Sequence, residues 1–409
     1  MNLKRLWHSP TLRSMVVYGA SGLGFGGANL ILARALPTDQ YALFTLVTAL
    51  GNLGFSLAPA GVDGVVNRRH LAAGPSLLAR VLPAATLVGL AMATVGLVGY
   101  EMSPAMAALL LISSTAGGIM MVAGAKFQSE HRFGISLALT QSPNIVMIVA
   151  ALAVVAFHVA HAWLPILISA VGFVVAAVYG WSLLLAERHG KPEADSTFPW
   201  KEAFAFAGLN ASGLLLIQLE RLVLPHVRPV SDLALYGVLG AIAGSLFRVL
   251  QMGVGFSLLP RLRAAKTLGE RRQLIAHEAR LVGGIIVFGS AAIWVVTPLV
   301  ERWFLGGKYH LAGSLVLAAI FSGIAKIANS FSKAAATALS DPRELSLVNV
   351  AGWVSVGISL AGAFAGARWG LAGVIYGVGF GWLFRAIVAF ALVVRHLRLP
   401  SALTAASAP

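Results

Sequence analysis

Twelve stretches of this chain are long and apolar enough to cross a bilayer, and that property constrains its fold more than any motif. With a window of about 20 residues, the length that spans roughly 30 Å of hydrocarbon as a helix, they fall near residues 12–34, 40–62, 78–99, 103–125, 134–157, 163–186, 203–225, 234–257, 280–300, 311–333, 346–366 and 371–394. Lipid offers no partners to backbone amides, so only helices or closed barrels can span it, and runs without alternation are helical. Composition agrees: 58% of residues are hydrophobic and 11% charged, against about 25% charged in soluble domains. The expected fold is an all-α integral membrane protein of about twelve transmembrane helices.

Lysine and arginine set the orientation. With the N-terminus in the cytoplasm, 21 of the 30 basic residues fall in inside loops and tails, 5 outside and 4 within helices. Positive charge stays on the cytoplasmic side during insertion, so both termini are expected there, in a multi-pass protein of the cell inner (plasma) membrane. The basic start MNLKRLWHSPTLRS precedes no A-x-A cleavage pattern and reads as a retained tail. Basic loops beside anionic membrane lipids account for the net charge of +15 without a nucleic-acid partner. There are no cysteines, which excludes disulfides and thiolate metal sites.

Two pairs of loops echo each other. QSEHRFGISLAL, residues 128–139, is matched by LSDPRELSLVNV, residues 339–350; ARALPTDQYALF, residues 33–44, by LVLPHVRPVSDLALYG, residues 222–237. These places correspond in a six-plus-six layout, which predicts two pseudo-symmetric six-helix lobes. The N-terminal lobe would be residues 1–186 and the C-terminal lobe 203–409, joined by the polar cytoplasmic linker ERHGKPEADSTFPWKE around residues 187–202.

Charges inside apolar helices need a reason, because each costs roughly 2.5–3.5 kcal/mol at a helix centre on insertion scales. Glu220 and Arg221 interrupt the run LLLIQLERLVLP. Ser245, Arg248 and Gln251 share one helical face, as do Ser322, Lys326, Asn329 and Lys333; Arg385 stands alone in the last segment. The N-terminal half instead carries neutral stripes, Thr45, Thr48, Asn52 and Ser56, then Ser136, Thr140 and Asn144. Four cations (Arg221, Arg248, Lys326, Arg385) against the single acid Glu220 predict a cavity between the lobes that draws anions. The candidate substrate-binding residues are Arg221, Arg248, Lys326, Arg385, Asn329 and Gln251, with Glu220 as a gating or ion-pairing charge. Snorkelling to the outer interface is the alternative for Arg221, four residues from Pro225.

The stretches ARALPTDQYALFTLVTALGNLGFSLAPAGVDGVVNRRH and LERLVLPHVRPVSDLALYGVLGAIAGSLFRVLQMGVGFSLLPRL resemble the Wzx-type lipid-linked oligosaccharide flippases, polysaccharide transporters of the MOP (MATE-like) superfamily. The resemblance rests on a Leu-Pro-x-x-x-Tyr start to the second helix and an acidic-basic pair late in the seventh. It departs at Ala42, where glycine is usual, and at Glu220, where aspartate is commoner. It implies a flippase that moves a polyprenyl-diphosphate-linked oligosaccharide from the cytoplasmic to the outer leaflet by alternating access, for surface polysaccharide biosynthesis. The diphosphate would meet the guanidinium groups, the sugars the polar stripes and aromatics such as Trp353, Tyr376 and Trp382. Its partners would be the anionic lipid-linked glycan and a polysaccharide polymerase or export machinery. The alternatives are a cation-coupled multidrug exporter of the MATE branch, which would want acids in its cavity, and a non-transporting membrane assembly protein.

Other motifs carry less. GLGFGG, residues 22–27, lies inside the first helix and reads as close packing rather than dinucleotide binding. His158 and His161 have helical spacing but no carboxylate nearby, so no metal site and no cofactor is expected. Neither a P-loop, an HExxH motif nor a nucleophile motif is present, and outer loops on the order of ten residues leave little room for an enzyme site. Trp7, Trp163, Trp200, Trp303 and Trp369 sit at segment edges as interfacial anchors.

Overall fold

The computed structural model describes residues 10–186, 198–245 and 267–398, with isolated positions 247, 258, 262, 264 and 265. Among the described residues each expected segment is met by a helix, the eighth in its first part only: α1 (Pro10–Ala35), α2 (Thr38–Leu57) with the short α3 (Val62–Arg69), α4 (Pro75–Thr94), α5 (Pro104–Ser129), α6 (Phe133–Ala156), α7 (Trp163–Ala186), α8 (Trp200–Val227), α9 (Val230–Leu239), α10 (Leu268–Leu299), α11 (Gly313–Leu339), α12 (Pro342–Gly366) and α13 (Gly370–Arg398). No strand occurs among the described residues. The protein is an all-α, multi-pass membrane protein.

Eight described helices are long and apolar enough to cross a membrane, nine with the bent α2–α3 pair. The last of these, Ser346–Arg398, folds back at the turn Ala367–Trp369 into α12 and α13, which pack along one another. It therefore crosses twice. The 26-residue α1, and α9 as the first part of the eighth expected segment, complete the set. Arg80, Lys126, Arg280 and Lys333, counted by the sequence among the cytoplasmic basic residues, stand on helices.

Local sequence explains where helices begin. Proline opens α4, α5 and α12, where its missing N–H costs nothing. Thr267 with Glu270, and Asp341 with Glu344, form reciprocal capping boxes at α10 and α12. The second span breaks at Gly61, whose φ of +80° suits glycine; α2 and α3 meet there at 43°. The break also brings Gly61 against α8. A Cβ on Gly61 would stand only 1.8 Å from the Ala203 carbonyl oxygen.

Outside, the helices show apolar side chains: Leu87, Val98, Val175, Val287 and Phe288 are exposed, as lipid-facing residues should be. Trp163, Trp303 and Trp369 stand exposed at helix ends, where anchors belong. Inside, close packing relies on small residues, since lipid supplies no hydrophobic force between helices. Along the α12–α13 seam, Gly362 meets Gly377 and Gly366 meets Gly373 backbone to backbone. Ser359 adds a hydrogen bond across it to the Val378 carbonyl, 3.1 Å.

Contacts divide the chain into two compact units, Met1–Ala241 and Ile242–Pro409. The first contains the six helices of the expected N-terminal lobe together with α8 and α9, which pack on α2 and α3. The linker residues 187–197 lie outside the described residues.

Candidate functional site

In the first unit, α8 places Glu220 and Arg221 side by side with different surroundings. Glu220 is fully buried, and the Tyr236 hydroxyl on α9 is its side-chain hydrogen-bond partner. Arg221, half-buried, donates from Nη1 to the Gln218 side-chain oxygen at 2.8 Å. Its guanidinium carbon lies 5.7 Å from the centroid of the Tyr236 ring. Tyr236 thus serves both charges, the acid through its hydroxyl and the cation through its ring face. Directly beyond Leu239 the helix widens into a π-turn, Gly240–Gly244, and a Cβ at Gly240 would come within 3.3 Å of Arg221 Nη2. Glycine makes room for the guanidinium at a turn type that often marks functional positions.

Near that cluster, Gly237 on α9 packs against Thr45 and Tyr41 of α2. Thr45 returns its hydroxyl proton to the Tyr41 carbonyl, 2.8 Å. Among the other neutral stripe residues, Asn144 donates to Ser21 at 2.7 Å and to Gln141 at 3.0 Å, while Ser21 donates to Gln141 at 2.9 Å. That network ties α6 to α1. Asn210 is exposed on α8.

In the second unit, α11 and α13 hold the remaining described candidates. Lys326 is half-buried with its ammonium 6.0 Å from the centroid of the Trp382 ring. Asn329 is 5% exposed and Arg385 3% exposed. No hydrogen bond and no carboxylate partner meets Arg385 among the described residues, and its Nε is wholly enclosed. Its charged neighbour is Lys333 of α11, another cation, close enough for the two to repel. Of the acids of this unit, Glu270 and Asp341 cap helices, Glu301 meets His310 at 3.0 Å, Glu344 meets His396 at 2.6 Å, and Glu278 is buried on α10. A guanidinium held out of water without a counter-charge is costly unless something anionic completes it.

Arg248 and Gln251 lie outside the described residues. Of the other sequence candidates, the structure brings together Lys326, Asn329 and Arg385 in one unit and Glu220 with Arg221 in the other. Sequence reasoning places Lys333 on the same helical face as Lys326 and Asn329 but leaves it out of the substrate-binding set, and it misses one participant altogether. Tyr236 enters there only as part of a loop echo; its contact with Glu220 is a tertiary fact. No group of three His, Cys, Asp or Glu residues suited to a metal occurs among the described residues.

Comparison with solved structures decides the fold family. The lipid II flippase MurJ in an inward closed conformation is similar with a TM-score of 0.67 over 94% of this chain and 89% of that one, at 11% identity. The fold is that of MurJ and the MATE transporters. Among the latter, the MATE multidrug transporter DinF-BH is similar at TM-score 0.60, 12% identity, 94% of this chain and 95% of that one. An outward-facing MATE multidrug resistance transporter of the MOP superfamily matches at 0.55, 13% identity, covering 96% and 97%. No family model matches the sequence, and no curated protein matches it. The MurJ/MATE fold thus rests here on helix arrangement alone, with 11 to 13% identity in these three comparisons.

Proposed function

We propose that the protein is a flippase that moves a polyprenyl-diphosphate-linked oligosaccharide from the cytoplasmic to the outer leaflet of the inner membrane, with both termini in the cytoplasm. The MurJ/MATE fold supports transport by alternating access. The observation that carries the anionic substrate is Arg385, 3% exposed, within reach of the Lys333 charge and without a carboxylate among the described residues. An exporter of cationic compounds has no use for buried cations that repel such cargo. A diphosphate does, because guanidinium and ammonium groups bind phosphorus oxyanions strongly where water is excluded. In this reading Lys326, Asn329 and Arg385 contact the substrate, joined by Arg221, Arg248 and Gln251. Glu220, hydrogen-bonded by Tyr236, is the charge that changes partner as the transporter switches, and a polymerase or export machinery receives the product.

Leaflet-resolved labelling of lipid-linked glycan tests this, in cells with and without the protein. Glycan accumulating in the cytoplasmic leaflet of cells lacking it is the expected result. Unchanged glycan distribution, with drug sensitivity in its place, would move the assignment to the MATE-type exporters.

A further inference from the structure

Along the seam between α11 and α13, four side chains of different chemistry are buried with a polar atom left without a partner. They are Ser322 (hydroxyl, 3% exposed), Asn329 (amide oxygen, 5%), Trp382 (indole N–H, 2%) and Arg385 (Nε, 3%). Buried polar atoms are nearly always hydrogen-bonded, so four orphans on one seam are a departure that calls for a ligand. Three of them are donors; the orphan on Asn329 is an acceptor, and that side chain would turn its NH2 to an anion. The charges agree: Lys326 stands over Trp382, and Lys333 is near enough to Arg385 to feel its charge. Orphaned donors gathered around an Arg385 that meets no carboxylate among the described residues describe the inverse of an oxyanion.

We propose that α11 and α13 enclose a phosphorus oxyanion site within the second unit, in which Arg385 and Lys333 are the two charges and Trp382, Ser322 and Asn329 supply neutral donors. The proposal rests on the flippase reading for its natural ligand, the diphosphate of the lipid carrier, and adds Lys333 to the residues that hold it. The seam suits an elongated group. Lys326 and Lys333 lie seven residues apart on α11, which is about 10 Å along a helix, and their flexible stems can close on a ligand between them. On α13, Trp382 and Arg385 are three residues apart and share one face. Bound oxygens would relieve the repulsion between Lys333 and Arg385 and satisfy the orphaned donors together.

Purified protein titrated calorimetrically with inorganic diphosphate and with inorganic phosphate tests the site directly. One diphosphate per chain is expected, with affinity falling at least tenfold in Arg385→Met and in Lys333→Met. Arg385→Met is also expected to fold and to melt no lower than the parent without ligand, because it removes an uncompensated buried cation. Parent-like affinity in both variants overturns the site. So does an Arg385→Met protein that cannot fold, since the guanidinium would then be structural.

The two sources of the oxyanion are separated by repeating the titration in nanodiscs of phosphatidylglycerol and of phosphatidylcholine. Competition by the anionic lipid assigns the site to a bilayer headgroup; undiminished binding assigns it to the carrier's diphosphate. Glycan translocation by Arg385→Met at parental rates would overturn the site and leave the flippase standing. Binding that depends on Arg385 and Lys333 in a protein that translocates nothing would do the reverse.

Discussion

The Lys326 ammonium rests 6.0 Å from the centroid of the Trp382 ring, and that indole is 2% exposed. A buried indole face is a surface on which an ammonium can sit out of water, an attraction of about 0.5–2 kcal/mol depending on desolvation. The sequence suggests Trp382 as a stacking surface for sugar; its position under Lys326 makes it a support for the charge. Trp382→Phe should keep both fold and ring, while Trp382→Ala should cost about 3–5 kcal/mol in stability through the cavity it leaves. Thermal melting of the two purified variants checks this, and equal melting points would contradict it.

Removing charge while retaining hydrogen bonding separates binding from structure. Arg248→Gln and Lys326→Gln should each leave the protein inserted and abundant yet trap lipid-linked glycan in the cytoplasmic leaflet, with Arg248→Lys intermediate because it loses the bidentate fork. Immunoblotting against leaflet-resolved labelling reads both quantities. Full export by the stably expressed double variant would sink the cationic mechanism.

The charge asymmetry gives a topological expectation. A reporter fused after Arg398 should be cytoplasmic, and one inserted at Asp232, where Arg228 pairs with the carboxylate at 2.7 Å, should lie outside. Reporters on the same side would overturn the number of crossings between them.

Packing at the last hairpin leaves no room for a side chain. A Cβ on Gly377 would stand 2.1 Å from the Gly362 carbonyl oxygen, so Gly377→Leu should force α12 from α13. Overpacking of this kind typically costs about 1–3 kcal/mol, visible as a lower melting temperature. Gly357→Leu, at a glycine with nothing within 4 Å, should be tolerated; equal loss in both would show that the seam is not tight.

Glu202 on α8 holds Arg68, at 3.2 Å, and Arg69 of α3. Exposed pairs like these contribute at most about 1 kcal/mol, so they can break during a transport cycle. The chain has no native cysteine, so joining Arg69→Cys to Glu202→Cys with a bismaleimide tests whether this contact must open. Crosslinking should arrest export. Undiminished export by the crosslinked protein would show that α3 and α8 stay together throughout.

The hydropathy pattern alone made the all-α membrane architecture legible, because backbone amides in lipid permit nothing but helices for unbroken apolar runs. Spacing alone put Lys326, Asn329 and Lys333 on one face of α11, because the helical repeat is fixed. The break at Gly61 was not legible: residues 40–62 read as one unbroken segment, and the structure bends it by 43°. Which residues across helices would meet was another matter. The pairing of α11 with α13, and so the enclosure of Arg385 beside Lys333, depends on how helices of similar apolarity choose neighbours. Lipid and side chain are equally apolar there, so the choice falls to small residues and shape, which no periodicity records. The contact of Tyr236 with both Glu220 and Arg221 was decided the same way, by the turn between α8 and α9 bringing the two helices together. The sequence by itself determined that these charges lie in membrane helices; only the tertiary structure decided that Glu220 meets Tyr236 and that Arg385 is enclosed without a carboxylate among the described residues, because burial and partnership depend on neighbours distant in the chain.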